Sequence, residues 1–311
     1  MALVPTLRRL LPLLLVGLLV TACNRGGEAS AKPSVALVVK TLNNQFFIDM
    51  EAGAKAAADS LGIELLVQAP EREIDVERQM QIVENLIQRK VGVILLVPNG
   101  SREIVPAVVK ANAAKIPVVA VDTRVDAATL SAAGATVASF IGSDNEDGGR
   151  LAGAFLVERL NGRATVAVLE GVPGHETADA RLRGFRAALA RASGMQIVAS
   201  QPANMERDLA FNVTQNILQA HPGITALFAC NDVMALGALE AIFAAGKGAQ
   251  VSVVGFDAQD DARKAIAEKR MAATIAQNPR EMGRLAVLTA ARLMKGETVP
   301  AEQPVAISLI K

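Results

Sequence analysis

The chain contains no tryptophan and no tyrosine, and its nine aromatic residues are all phenylalanine. Any aromatic contact with a ligand therefore falls to a Phe ring. Histidine and cysteine are scarce as well, at two residues each. His175 and His221 are too few for a His-rich metal centre. His175-Glu176 opens like the helix of a zinc protease, but the position four residues after His175 holds Asp179, so the pattern fails and no metal is expected. Neither sign of charge dominates, with 32 basic against 31 acidic side chains. Without a basic excess or stripe there is no electrostatic footprint for nucleic acid. The one sustained apolar run, Leu10–Val20, is too short for a comfortable membrane span.

That run sits between Arg8-Arg9 and Val20-Thr21-Ala22-Cys23. A basic start, a short apolar stretch and a small-residue ending describe an export signal over residues 1–22. The ending resembles the lipobox of bacterial lipoproteins. That resemblance implies a lipid on Cys23, which would become the first mature residue and hold the protein at the outer face of a bacterial membrane. Residues 23–33 are small and polar and read as a flexible tether. With Cys23 carrying lipid, Cys230 has no partner and no intramolecular disulfide forms. Cys230 is expected as a small buried side chain rather than a nucleophile.

From Ser34 onward, short β-branched runs alternate with Ala-rich stretches of helical spacing. Strands are expected near 35–39, 63–67, 91–97, 117–121, 137–141, 165–169, 196–200, 226–229 and 251–256. Helices are expected near 47–60, 76–89, 103–114, 149–160, 180–192, 209–220 and 233–245. Continuously apolar strands separated by amphipathic helices indicate parallel sheets covered on both faces. The expected fold is α/β, with two doubly wound parallel-sheet lobes.

Open parallel sheets bind ligands at the carboxyl ends of their strands. Read there, the chain supplies Lys40 to Asn44, Pro98-Asn99-Gly100, Asp122-Thr123-Arg124, Ser143-Asp144-Asn145, Asn231-Asp232 and Asp257. Asp144, Asn145 and Asp232, each taken alone, are better read as helix caps and turn residues.

Val38–Phe47 (VVKTLNNQFF), Ile141–Gly153 (IGSDNEDGGRLAG), Gly171–Phe185, Asn231–Gly237 (NDVMALG), Val254–Asp257 (VGFD) and Ala273–Gln277 (ATIAQ) together resemble the ribose-type periplasmic sugar-binding proteins of bacterial ABC importers. The resemblance covers essentially residues 33–311. It implies a type I periplasmic binding protein whose two lobes are joined by a three-crossing hinge and close over one monosaccharide. By position, one lobe is 33–143 plus 278–306 and the other is 144–277 plus 307–311. It also implies ligand contacts from Asn44, Phe46, Phe47, Asp122, Arg181, Asn231, Asp257 and Gln277. A carboxylate accepts from two hydroxyls, a guanidinium donates, and a carboxamide does both. A Phe ring covers the apolar face of a sugar.

Some positions depart from the ribose pattern. Lys40 stands in place of a small hydroxyl residue, and Pro98 in place of an asparagine that Asn99 could replace. Thr123 takes an arginine's place, with Arg124 next to it as the substitute ligand contact. Met205 replaces a stacking aromatic, and the loop Val125–Thr136 is longer, at the seam between the lobes. These changes argue against ribose itself and leave a pentose, hexose or related polyol. Asp122→Ala or Arg181→Ala is expected to remove binding with little loss of fold.

Gly171-Val172-Pro173-Gly174 lacks the Lys-Ser/Thr ending of a phosphate loop, and there is no G-x-S-x-G elbow. No enzymatic activity and no cofactor are expected. A LacI-type repressor would need a helix-turn-helix where the export signal stands. The expected partners are a sugar and an ABC permease, with the protein acting as a monomer. The alternative is a sensory binding protein that presents its sugar to a chemoreceptor or sensor kinase.

Overall fold

The computed structural model describes residues 33–311, which form one compact unit. The expected export signal, the lipidated Cys23 and nearly all of the tether lie outside the described residues. The first lobe runs β1 (Ser34–Val38), α1 (Gln45–Leu61), β2 (Glu64–Gln68), α2 (Val76–Gln88), β3 (Val93–Leu96), α3 (Val105–Ala113), β4 (Val118–Val121), α4 (Ala127–Ala132) and β5 (Ser139–Gly142). The second follows with α5 (Asn145–Arg159), β6 (Arg163–Glu170), α6 (Glu176–Leu189), β7 (Gly194–Pro202), α7 (Arg207–Ala220), β8 (Ala226–Ala229), α8 (Asp232–Ala244), β9 (Ser252–Asp257), α9 (Asp260–Ala267) and β10 (Ala273–Ala276). The chain then adds α10 (Pro279–Met294), β11 (Glu302–Pro304) and β12 (Ser308–Ile310).

Two six-stranded sheets result, ordered β11-β5-β4-β3-β1-β2 and β12-β10-β9-β8-β6-β7. Every pairing is parallel except that of β12 with β10. The chain passes between the sheets three times: from β5 to α5, from β10 to α10, and from β11 to β12. Helix α10 returns to the first lobe, burying Met282, Ala286 and Val287 beside Met50 and Ala54 of α1.

The apolar strand runs are explained by burial on both faces. In β1, Val35 and Leu37 join the cluster under α1 and α10, while Ala36 and Val38 join the one under α2 and α3. β3 divides the same way, Val93 and Leu95 against Ile94 and Leu96. The second lobe has one continuous cluster, within which Phe185 of α6 stacks on Phe228 of β8 at 4.3 Å between centroids.

The structure moves several helix starts toward their caps. Helix α5 begins at Asn145 rather than near 149, because the Asp144 side chain accepts from Asp147 N at 2.9 Å. The expected loop Val125–Thr136 holds α4, capped by Asp126. Val125, Leu130 and Ala135 join the first-lobe core, so this segment is packed structure rather than an open loop.

Glycine sets how closely α5 and α6 approach. A Cβ at Gly184 would fall inside the Glu146 carbonyl, and one at Gly149 inside the carbonyl of Arg181. This close crossing fixes the backbone from which Arg181 projects. Among the described residues no helix is long and apolar enough to cross a membrane.

Candidate ligand-binding site

Both sheets turn the carboxyl ends of their strands toward one cleft. The first lobe lines it with Lys40, Asn44, Phe46, Phe47, Glu73 and Asp122. The second lines it with Thr177, Arg181, Met205, Asn231 and Asp257. Eight of the ten residues expected to touch ligand are thus brought together: Asn44, Phe46, Phe47, Asp122, Arg181, Met205, Asn231 and Asp257.

Local structure places each of them. Asn44 caps α1, its Oδ1 accepting from Phe46 N at 3.0 Å, while its Nδ2 donates to Glu73 at 3.2 Å. The first turn of α1 then presents Phe46 and Phe47, packed edge to face at 5.3 Å. Both rings border the cleft and both belong to the core. Asn231 caps α8 through Met234 N at 2.8 Å. Asp122 and Met205 have left-handed backbone, at φ 60° and 64°. Strain of this kind persists where the surrounding structure enforces it.

Arg181 is held by four contacts, two hydrogen bonds, an aromatic ring and a carboxylate. Its Nε donates to Asn145 Oδ1 at 2.8 Å, and Nη1 donates to the Cys230 carbonyl at 2.7 Å. Its guanidinium lies 3.8 Å over the Phe256 ring, and Nη2 stands 3.8 Å from Asp257 Oδ1. Burial pushes the Asp257 carboxyl up to about 7, against the pull of Arg181. Asp122 accepts from Thr123 Oγ1 at 2.9 Å, and its Oδ1 is buried without a partner.

Two expected contacts fall elsewhere. Arg124 does not reach the cleft: it forms a two-pronged pair with Glu302, at 2.7 and 2.9 Å, and covers the Phe140 ring at 3.8 Å. A carboxylate and an aromatic face on its own lobe hold it, so it cannot replace the arginine lost at Thr123. Gln277 stands behind the cleft and donates to Asp257 Oδ1 at 2.9 Å, orienting that carboxylate. Asn99 is committed as well. Its Nδ2 donates to the carbonyls of Lys40 and Arg72, and its Oδ1 accepts from Gln79.

The residues that sequence reasoning did not assign are Lys40, Glu73 and Thr177. Lys40 drew notice only as a departure. Glu73 lies on the loop between β2 and α2, where only the folded chain brings it to Lys40, 3.9 Å away. Burial raises the Glu73 carboxyl and the Lys40 charge opposes that rise. The lining thus carries two cations, Lys40 and Arg181, and three carboxylates, Glu73, Asp122 and Asp257. Cys230 is fully buried and its thiol is pushed up to about 12 by burial, far from a nucleophile's range.

The periplasmic binding protein domain family matches residues 35–298. The ribose import binding protein of Haemophilus influenzae is 41% identical over 91% of this chain and 93% of its own length. The D-allose-binding periplasmic protein of Escherichia coli is 34% identical over 95% and 94%. A periplasmic solute-binding protein of an ABC transporter from Actinobacillus succinogenes, solved with bound D-allose, superposes with a TM-score of 0.86 at 38% identity. That superposition covers 90% of this chain and 98% of the other. Two sheets joined by three crossings, a polar cleft between them and likeness along nearly the whole length agree: this chain belongs to the periplasmic binding protein family, as a sugar-binding member of the type I fold.

Proposed function

We propose that this protein captures one neutral monosaccharide (a pentose, a hexose or a related polyol) between its lobes by hinge closure and hands it to a permease. It is the substrate-binding component of an ABC sugar importer, not an enzyme, and it works in the periplasm. The observation that carries the reading is the convergence of Asp122, Arg181, Asn231 and Asp257 on a cleft bordered by Phe46 and Phe47. Carboxylates, a guanidinium and a carboxamide match the donors and acceptors of a hydroxylated ring, and the Phe faces match its C–H surface. Closure follows because a sugar seated on one lobe gains contacts from the other only when the cleft shuts. The protein acts as a monomer, held to the membrane by a lipid on Cys23.

The test is a thermal-shift screen of a chain starting at Ser30, which keeps the whole compact unit, against D-ribose, D-allose, D-apiose, other pentoses and hexoses, and polyols. Detection uses a dye or calorimetry, since the chain has no Trp. A ligand at 100 times its Kd adds about 2.7 kcal/mol. Stabilisation by one stereochemical series supports sugar capture, and silence from folded, ligand-free protein refutes it. For the anchor, Cys23→Ser is expected to release the protein from the membrane fraction; retention there refutes lipidation.

A further inference from the structure

At three helices of the second lobe, the N-cap residue or the one after it bonds to the first lobe. Glu206 is the N-cap of α7, yet its side chain makes no cap hydrogen bond. It turns across the cleft mouth instead, where Arg72 Nε and Nη2 both donate to its Oε1, at 3.1 and 2.5 Å. Gln259, the N-cap of α9, also leaves its helix uncapped. Its Nε2 donates across the cleft to Asn44 Oδ1 at 2.9 Å. At α6 the N-cap His175 makes no cap bond, and the free N–H of Glu176 donates to Ser101 Oγ of the first lobe at 3.3 Å.

Neither Glu nor Gln is a favoured N-cap, a position where Ser, Thr, Asp and Asn serve best. Glu206 also follows two residues of left-handed backbone, Asn204 and Met205, at φ 50° and 64°. That turn sends Met205 into the cleft and Glu206 to its mouth. The second lobe thus gives up local capping at α7 and α9 for bonds that exist only while the lobes meet.

We infer that Arg72–Glu206 and Asn44–Gln259 form a latch that sets how long a bound sugar is held. The inference rests on the capture reading above and adds to it which bonds between the lobes control release, made by Arg72, Glu206 and Gln259 beyond the cleft lining and by Asn44 within it. Arg72 and Glu206 are both substantially exposed, so their attraction is screened by salt.

The test measures release of D-ribose and D-allose by stopped flow on the chain starting at Ser30. Glu206→Ser and Gln259→Ser supply a good local cap while removing the latch. Each is expected to speed release about two- to five-fold while the unliganded protein melts at or above the wild-type temperature. A residue of merely structural importance would not move those two readings in opposite directions. Arg72→Gln should match Glu206→Ser, the double variant should release no faster than either single, and raising NaCl should speed release from the wild type but not from Arg72→Gln. Release at the wild-type rate in these variants, or additive effects of Arg72→Gln and Glu206→Ser, overturns the latch and leaves the capture reading standing. A wild type that binds neither probe nor any other sugar of the panel overturns both.

Discussion

Asp122 and Asp257 occupy equivalent places in the two lobes. Each stands at the carboxyl end of the third strand in its sheet order, Asp122 just after β4 and Asp257 at the end of β9. Each has positive φ, at 60° and 110°. The two carboxylates differ in what answers them. Asp257 has Gln277 and the Arg181 guanidinium, whereas Asp122 has the Thr123 hydroxyl and one buried oxygen without a partner. Of the pair, Asp122 is the more available acceptor for a ligand hydroxyl.

Substitutions at Asp122 and Arg181 should therefore separate. Asp122→Asn keeps a side chain that tolerates left-handed backbone, so binding should fall at least tenfold with little change in melting temperature. Asp122→Ala adds a backbone cost of about 1–2 kcal/mol. Arg181→Ala is expected to lose binding and about 2–6 kcal/mol of stability, because it strands the Asn145 amide oxygen and the Cys230 carbonyl in the interior. The bonds at Arg181 thus argue against the expectation that Arg181→Ala costs little of the fold. Calorimetric titration and urea melts would check it: equal stability loss at the two sites would refute the distinction.

The raised carboxyl of Asp257 gives the unliganded protein a pH dependence of known sign. Its folded value, about 7, exceeds the ordinary carboxylate value, so between about pH 4 and 7 the folded state holds the extra proton. The stabilisation is present at the acid end and is lost as pH rises through that window. Asp257→Asn should flatten this fall. His175 acts oppositely: burial pushes its imidazole down to about 3, so it weakens the fold as pH drops below about 6.5. Melting curves from pH 4 to 8 on wild type, Asp257→Asn and His175→Gln would separate the two, and an unchanged slope in Asp257→Asn would count against the assignment.

Gly184→Ala tests the close crossing of α5 and α6. The added methyl meets backbone, the Glu146 carbonyl, which has no flexible end to move aside. A loss of about 1–3 kcal/mol or more is expected in denaturant melts, with weaker sugar binding as Arg181 shifts. Gly62→Ala, in open space at φ 66°, should cost only about 1 kcal/mol. Equal costs at the two positions would refute the crossing argument.

Asn99→Ala should behave as a framework variant. Asn99 and Gln79 tie the ends of β1 and β3 to the loop that carries Glu73, through bonds to the carbonyls of Lys40, Arg72 and Val97. Removing the amide leaves buried partners unpaired at about 1–3 kcal/mol. Stability should fall, and binding should weaken only through a displaced Glu73. Loss of binding at unchanged stability would make Asn99 a direct contact after all.

The sequence by itself determined the α/β class and the strand-helix alternation, because strands covered on both faces must be apolar at every position, as in β1 and β3. It also determined the strand-end carboxylates and amides, since Asn44, Asp122, Asn231 and Asp257 sit at or just beyond the ends of readable elements. Tertiary structure decided the rest. Arg124 and Asn99 look like cleft residues in the chain, yet Glu302 claims one and Gln79 the other, partners 178 and 20 residues away. Glu73 looks like a loop charge until folding lays it against Lys40. The bonds that cross the cleft, from Arg72 to Glu206 and from Gln259 to Asn44, span 134 and 215 residues. Local pattern fixes which element a residue belongs to, because propensity and burial period act over a few neighbours. Which charge meets which is settled only when separate elements pack, since a hydrogen bond depends on a few ångströms in space and not on separation along the chain.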